Sequence, residues 1–96
     1  MAKKKRMPAL TPRARQIVNY VINAVALGTH GNDAELGAVA HAIEMSPPRL
    51  ASIANKLQEQ GWLTIKNDFL YPTVAALRWQ NPELSEQQAK RILAKL

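Results

Sequence analysis

The order of local patterns over residues Glu35–Thr73 constrains the fold of this chain more than any other feature of its sequence. A short helical pattern is followed by a turn at Glu44–Ser46 and by a second helical pattern, which ends at Gly61. Two short β-prone runs follow, LTIK and FLYP, and Asn67–Asp68 joins them. The sequence therefore predicts two helices joined by a tight turn, and then a β-hairpin.

A longer helix is predicted before this region. Thr11 is a suitable cap, and Pro12 suits the first helical position, so we expect the helix to begin there and to end near Leu27, before Gly28. Its apolar residues cover more than one face, which indicates burial on two sides. In a chain of this size, a second subunit is one way to cover the second side.

Caps and breakers also set the boundaries of the remaining helices. We expect the second helix over residues 34–44, and the third from Pro47 to Gln60 with Ser46 as its cap. A short helix is predicted over Thr73–Gln80, and a last helix begins after a capping box formed by Ser85 and Gln88. The predicted fold class is mainly α with one small β-hairpin.

Length and composition indicate one soluble domain. The chain has 96 residues, which is near the lower limit for a single core, and it contains no cysteine. No apolar run approaches the length of a membrane span, and no apolar region follows the basic start as a secretory signal requires. We expect a domain over residues 11–96, preceded by a disordered basic arm over residues 1–10, in the cytoplasm and associated with the nucleoid.

The charge of the chain favours a polyanionic partner. The formal net charge is +6, but Lys3, Lys4, Lys5 and Arg6 provide four of these charges and leave nine basic against seven acidic residues elsewhere. The arm either follows phosphates or the minor groove of DNA, or serves only as a solubilising start. Strong DNA affinity therefore requires local clustering of cations, the arm or dimerisation.

The third helix is the candidate DNA-reading element. Its periodicity places Leu50, Ile53, Ala54 and Leu57 on one side and leaves small polar residues on the other, flanked by longer basic residues. Such a surface can approach base edges closely while the basic side chains reach phosphates. The candidate DNA-binding residues are Ser46, Arg49, Ser52, Asn55 and Lys56 on this helix, Lys66 on the hairpin, and Lys3, Lys4, Lys5 and Arg6 on the arm.

The stretch from about Asp33 to Thr73 resembles the winged helices of small bacterial regulators of the MarR class, in which a helix with the ending seen at Leu57–Gly61 leads directly into the wing. The resemblance implies a winged helix-turn-helix fold that holds its third helix in the major groove of duplex DNA and regulates transcription. Two features depart from the pattern. Glu44 stands at a turn position often held by glycine, and the wing carries Asp68 at its tip, with Lys66 as its one basic residue.

A homodimer is predicted from the ends of the chain. The last helix carries an apolar stripe that includes Ala89, and the first helix has apolar residues on too many faces for a thin core. Dimerisation would double a modest charge and match two half-sites on DNA. The residues expected at this interface are Ile92, Leu93 and Leu96.

The sequence shows no catalytic or metal-binding pattern. His30 and His41 are its two histidines, and no carboxylates stand near them at metal-ligand spacing. We expect no enzyme activity, cofactor, metal or small-molecule ligand. Two alternatives to a transcriptional regulator stay open: a replication or recombination accessory protein of a phage or plasmid, and a winged-helix module that binds another protein.

Overall fold

The computed structural model of the chain describes residues 10–26 and 34–95. The mainly helical class with one antiparallel hairpin is confirmed there. None of the helices in this part of the chain has the length and apolar character needed to cross a membrane. Predictions for the arm cations Lys3, Lys4, Lys5 and Arg6, and for Gly28, His30 and Leu96, lie outside the described residues. The elements are α1 (Pro12–Ala26), α2 (Leu36–Ala42), α3 (Pro47–Glu59), β1 (Leu63–Lys66), β2 (Phe69–Pro72), α4 (Val74–Gln80) and α5 (Glu86–Ala94).

Side-chain caps begin α1 and α5 where the sequence predicts them. The Thr11 hydroxyl accepts a hydrogen bond from the Ala14 N–H at 3.2 Å. At α5, the Ser85 hydroxyl accepts from the Gln88 N–H, and the Gln88 side chain accepts from the Ser85 N–H, which completes the capping box. These bonds satisfy backbone donors that a helix start otherwise leaves without a partner.

Helix α2 is shorter than predicted at both ends. It begins at Leu36 rather than at residue 34, because Glu35 forms an isolated antiparallel bridge with Phe69. The Leu36 N–H then donates to the Asp68 carbonyl at 2.8 Å. The helix ends at Ala42 rather than at Glu44, because Glu44 adopts a left-handed backbone conformation that a helix cannot continue.

The hairpin has the predicted strands and the predicted two-residue turn. Leu63 pairs with Pro72 and Lys66 with Phe69, so the turn consists of Asn67–Asp68 alone. These two residues have φ angles of 53° and 65°, as the tight turns that match the twist of paired strands require. The bond from Leu36 fastens this turn to the start of α2.

Helix α1 lies at the centre of the core. Ile17, Val18 and Val21 are fully buried, and α1 packs against α2, α3, α4 and β2. The other elements of the same chain therefore cover the several apolar faces of this helix. Contrary to the prediction, α1 does not need a second subunit to bury these residues.

The apolar stripe of α5 also packs inside the protomer. Ala89 is fully buried, while Ile92 and Leu93 are half-buried and pack against the core. What these two side chains leave exposed is the only part of the predicted interface that the structure describes.

The aromatic residues near the hairpin are buried to different degrees. Trp62 is buried, and its ring meets that of Trp79 edge to face at 5.2 Å. Trp79 is 37% exposed, and Phe69 and Tyr71 are half-buried. The indole N–H of Trp62 is buried without a hydrogen-bond partner. The cluster anchors the hairpin and α4 to the end of α3.

Candidate nucleic-acid interface

The turn between α2 and α3 is a helix C-terminal motif built around Glu44. The Glu44 N–H donates to the His41 carbonyl at 3.2 Å, and the Met45 N–H donates to the Ala40 carbonyl at 2.8 Å. These are the two bonds of a Schellman motif. The motif requires a left-handed backbone at the position that Glu44 occupies, and the φ angle of Glu44 is 56°. Met45 is buried, so the turn is fixed to the core and sets where α3 begins.

The buried side of α3 fixes which side faces solvent. Leu50 and Ala54 are fully buried and Leu57 nearly so, as their spacing predicts. The structure places every α3 residue proposed to contact DNA on the exposed side. The side chains of Ser52 and Asn55 form no hydrogen bond within the described part of the chain, so their polar groups are available to a ligand. The exposed candidates are Ser46, Arg49, Ser52, Asn55 and Lys56.

The start of α3 can bind a phosphate only weakly through its backbone. Pro47 and Pro48 occupy the first two helical positions and carry no N–H, and the Leu50 N–H is already bonded to the Ser46 carbonyl. Ser46 is the cap residue, but its hydroxyl forms no capping bond. Anion contacts at this end must therefore come mainly from side chains, chiefly the Ser46 hydroxyl and the Arg49 guanidinium.

The hairpin is bonded to α3, and its basic residue lines a groove that the hairpin forms with α5. The Gln58 side-chain carbonyl accepts a hydrogen bond from the Ile65 N–H at 2.6 Å, which joins α3 to β1. Lys66 is exposed and lines a groove of about 290 Å³ with Thr64, Tyr71, Pro72 and Leu93 of α5. The tip carries the exposed carboxylate of Asp68. Lys66 is thus the one hairpin cation that could reach a phosphate.

The cations of the candidate surface have no carboxylate partners. Among the described residues, the one ion pair joins Lys90 to Glu86 on α5 at 3.1 Å. Arg49, Lys56 and Lys66 therefore keep their full charge for an anionic ligand. The charge near α3 is nevertheless mixed, because Glu44 and Glu59 are also exposed.

Sequence reasoning missed one cation beside the turn. Arg13, in the first turn of α1, donates through Nη1 to the Ile43 carbonyl at 3.4 Å and to the Gln16 side chain at 3.0 Å. The contact with Ile43 joins residues thirty positions apart, and no local pattern in the sequence signals it. Arg13 therefore belongs to the surroundings of the turn between α2 and α3.

The structure offers no metal-binding cluster within the residues that it describes, since no three His, Cys, Asp or Glu side chains there could hold an ion together. His41 is exposed on α2.

The chain matches no protein-family model, and neither the curated proteins nor the solved structures contain a match to it.

Replacing Glu44 with glycine is expected to stabilise the protein. The end of α3 has the same motif, with bonds from Gly61 to Gln58 and from Trp62 to Leu57, and glycine provides its left-handed residue with φ 90°. Strain at a left-handed non-glycine residue costs about 1–2 kcal/mol. Because glycine also loses more conformational freedom on folding, we expect a net gain of about 0.5–1 kcal/mol in the free energy of unfolding. Chemical denaturation measures this gain.

The variant Glu44→Gln separates strain from charge. It removes the carboxylate but keeps a side chain in the left-handed position, so its stability should stay close to that of the wild type. If α3 contacts DNA, both variants should bind duplex more tightly than the wild type, because a negative charge beside the reading helix is lost. Equal stability of the two variants would show that Glu44 is unstrained.

Proposed function

We propose that this protein is a winged helix-turn-helix protein that binds specific sites in double-stranded DNA and regulates transcription. The observation that carries the proposal is the unit formed by α2, its fixed turn and α3, with the polar side of α3 exposed. The bridge of Glu35 to Phe69 supports the proposed fold, since it adds an extended residue before α2 to the sheet of the hairpin. The proposed site of action is the nucleoid in the cytoplasm.

In the proposed complex, α3 lies in the major groove. Ser52 and Asn55 are short and exposed, so the helix can approach the base edges, and Asn55 can pair with adenine. Arg49 can reach guanine or a phosphate, and Lys56 and Lys66 supply further phosphate contacts. Arm residues Lys3, Lys4, Lys5 and Arg6 add charge that is independent of sequence. Specificity then comes from α3, while much of the affinity comes from the cations.

Binding to random duplex DNA tests the proposal. A labelled duplex of about 20 base pairs is titrated with protein, and fluorescence anisotropy is followed as salt is raised from about 50 to about 200 mM. If each of the seven cations named above (three in the domain and four in the arm) contacts one phosphate, a plot of log K against log salt should have a slope of about −6. A protein with no measurable affinity at low salt would not be a DNA-binding protein. Selection from a random duplex library then gives the preferred site.

The alternatives lead to different results in these measurements. A replication or recombination accessory protein of a phage or plasmid would bind duplex in the same way and would differ in the position of its sites. A winged-helix module that binds another protein would show no steep salt dependence with duplex DNA. The exposed polar residues of α3 and its unpaired cations favour the DNA-binding function.

A homodimer is a further part of the proposal. The partly exposed Ile92 and Leu93 of α5 support it, and two copies would match two half-sites about one helical turn apart. Light scattering at tens of micromolar measures the mass. Since both residues also pack against the core, charged replacements are expected to lower stability as well as association. A monomeric mass for the wild type would limit each copy to one half-site.

A further inference from the structure

The start of α1 lies directly beside α3. Leu10, Thr11 and Ala14 line one side of a groove of about 310 Å³, and Ile53, Lys56, Leu57 and Gln60 of α3 line the other. We call this groove, with the residues that line it, the α1–α3 seam. It places the first turn of α1 next to the helix that we propose to read DNA.

The seam lies along the basic flank of α3. Arg49, Ile53 and Lys56 are spaced by four and three residues, so they share one side of the helix. Because Ile53 and Lys56 line the groove, this side is the one that faces the start of α1. Arg49 and Lys56 are separated by about 10 Å along the helix axis, at a rise of 1.5 Å per residue. The exposed cations Arg49 and Lys56 therefore lie along the seam.

Arg13 adds a third cation in the first turn of α1, the helix that forms the other side of the seam. Its bonds to the Ile43 carbonyl and to Gln16 hold the guanidinium beside the turn that precedes α3. Both bonds use Nη1, so Nε and Nη2 keep N–H groups free to bind an anion. The side chain is exposed and has no carboxylate partner among the described residues. A guanidinium that is held in place and keeps free donors suits a phosphate.

We infer that Arg13, Arg49 and Lys56 form one phosphate-binding edge along the α1–α3 seam. The DNA backbone then passes from the flank of α3 to the first turn of α1, and Arg13 binds a phosphate next to the base pairs that α3 reads. This inference rests on the proposed DNA-binding function and extends its contact surface to a second helix.

The test compares Arg13→Gln with Arg15→Gln in the full-length protein. Arg15 is also exposed on α1 but stands two residues further along, on a different side of the helix. The probe is the same random duplex, titrated over the same salt range. Arg13→Gln should reduce the salt slope by about 0.9, the value of one phosphate contact, whereas Arg15→Gln should leave it unchanged. The loss of affinity in Arg13→Gln should be similar for all sequences.

A third variant, Arg13→Lys, separates phosphate binding from support of the turn. Lysine keeps the charge, so its salt slope should stay close to that of the wild type. It lacks the planar guanidinium whose Nη1 bonds both the Ile43 carbonyl and Gln16, so any support that Arg13 gives to the turn should be weaker. Equal slopes for Arg13→Gln and Arg15→Gln would overturn the inference and leave the proposed function intact. So would a melting temperature that falls equally in Arg13→Lys and Arg13→Gln with matching losses of affinity. Wild-type protein that does not bind duplex at all would overturn both.

Discussion

Ser52→Glu is expected to weaken duplex binding by about 100-fold or more while the protein stays folded, because a like charge forced against DNA costs several kcal/mol. Ser52 is exposed at the middle of α3 and forms no hydrogen bond within the described part of the chain. In the proposed complex, its side chain faces the floor of the major groove, where a carboxylate would meet the negative potential of both strands. Anisotropy titrations with duplex DNA measure the loss.

Gln87→Glu provides the matched control for this substitution. It makes the same change in net charge at an exposed position of α5, so its effect on DNA binding should be small. Stability should be retained in both variants, since glutamate favours helix at least as well as serine does. Circular dichroism and thermal melting check this point. If the two variants bind DNA equally well, the exposed side of α3 does not read DNA.

The elements of this fold that local chemistry specifies are the ones that the sequence predicts most closely. Ser46 with Pro47 begins α3, and Gly61 ends it through a motif that prefers glycine. The hairpin has the predicted strands because two apolar-rich runs are separated by Asn67–Asp68, which tolerate positive φ. Exposure along α3 is predicted equally well, since helical periodicity alone decides it.

Features that depend on distant contacts are not predictable in this way. Glu35 leaves the helical pattern because it pairs with Phe69, thirty-four positions later, and α2 therefore starts late. The apolar faces of α1 suggest a missing subunit only because the sequence does not show that four other elements cover them. For the same reason, nothing in the sequence places Arg13 beside Ile43. The sequence thus predicts the part of the candidate site that lies on α3, but not the contribution of Arg13 from α1.

The balance of charge also limits how the proposed complex can work. Arg13, Arg49, Lys56 and Lys66 are the cations assigned to DNA within the predicted domain, while Glu44, Glu59 and Asp68 are exposed on the same elements or next to them. Four cations against three carboxylates give little net attraction over a Debye length. The domain can therefore orient itself on DNA through individual contacts. Long-range attraction must come largely from the arm.

Removal of residues 1–8 is accordingly expected to cause a large loss of salt-dependent affinity. Lys3, Lys4, Lys5 and Arg6 supply four of the six net charges, so the slope of log K against log salt should fall by about 2–4, at about 0.9 per phosphate contact. Thermal stability should change little, because the deletion leaves Leu10 in the seam and the Thr11 cap of α1 intact. Anisotropy titrations and thermal melting measure these two quantities.

A full-length variant with the same four residues changed to glutamine distinguishes charge from chain length. If the cations bind phosphates, this variant should reproduce the slope of the deletion, and both should keep the base preference that α3 provides. A slope equal to that of the wild type in both variants would make the arm a passive extension. The affinity would then have to arise within the folded domain, from Arg13, Arg49, Lys56 and Lys66.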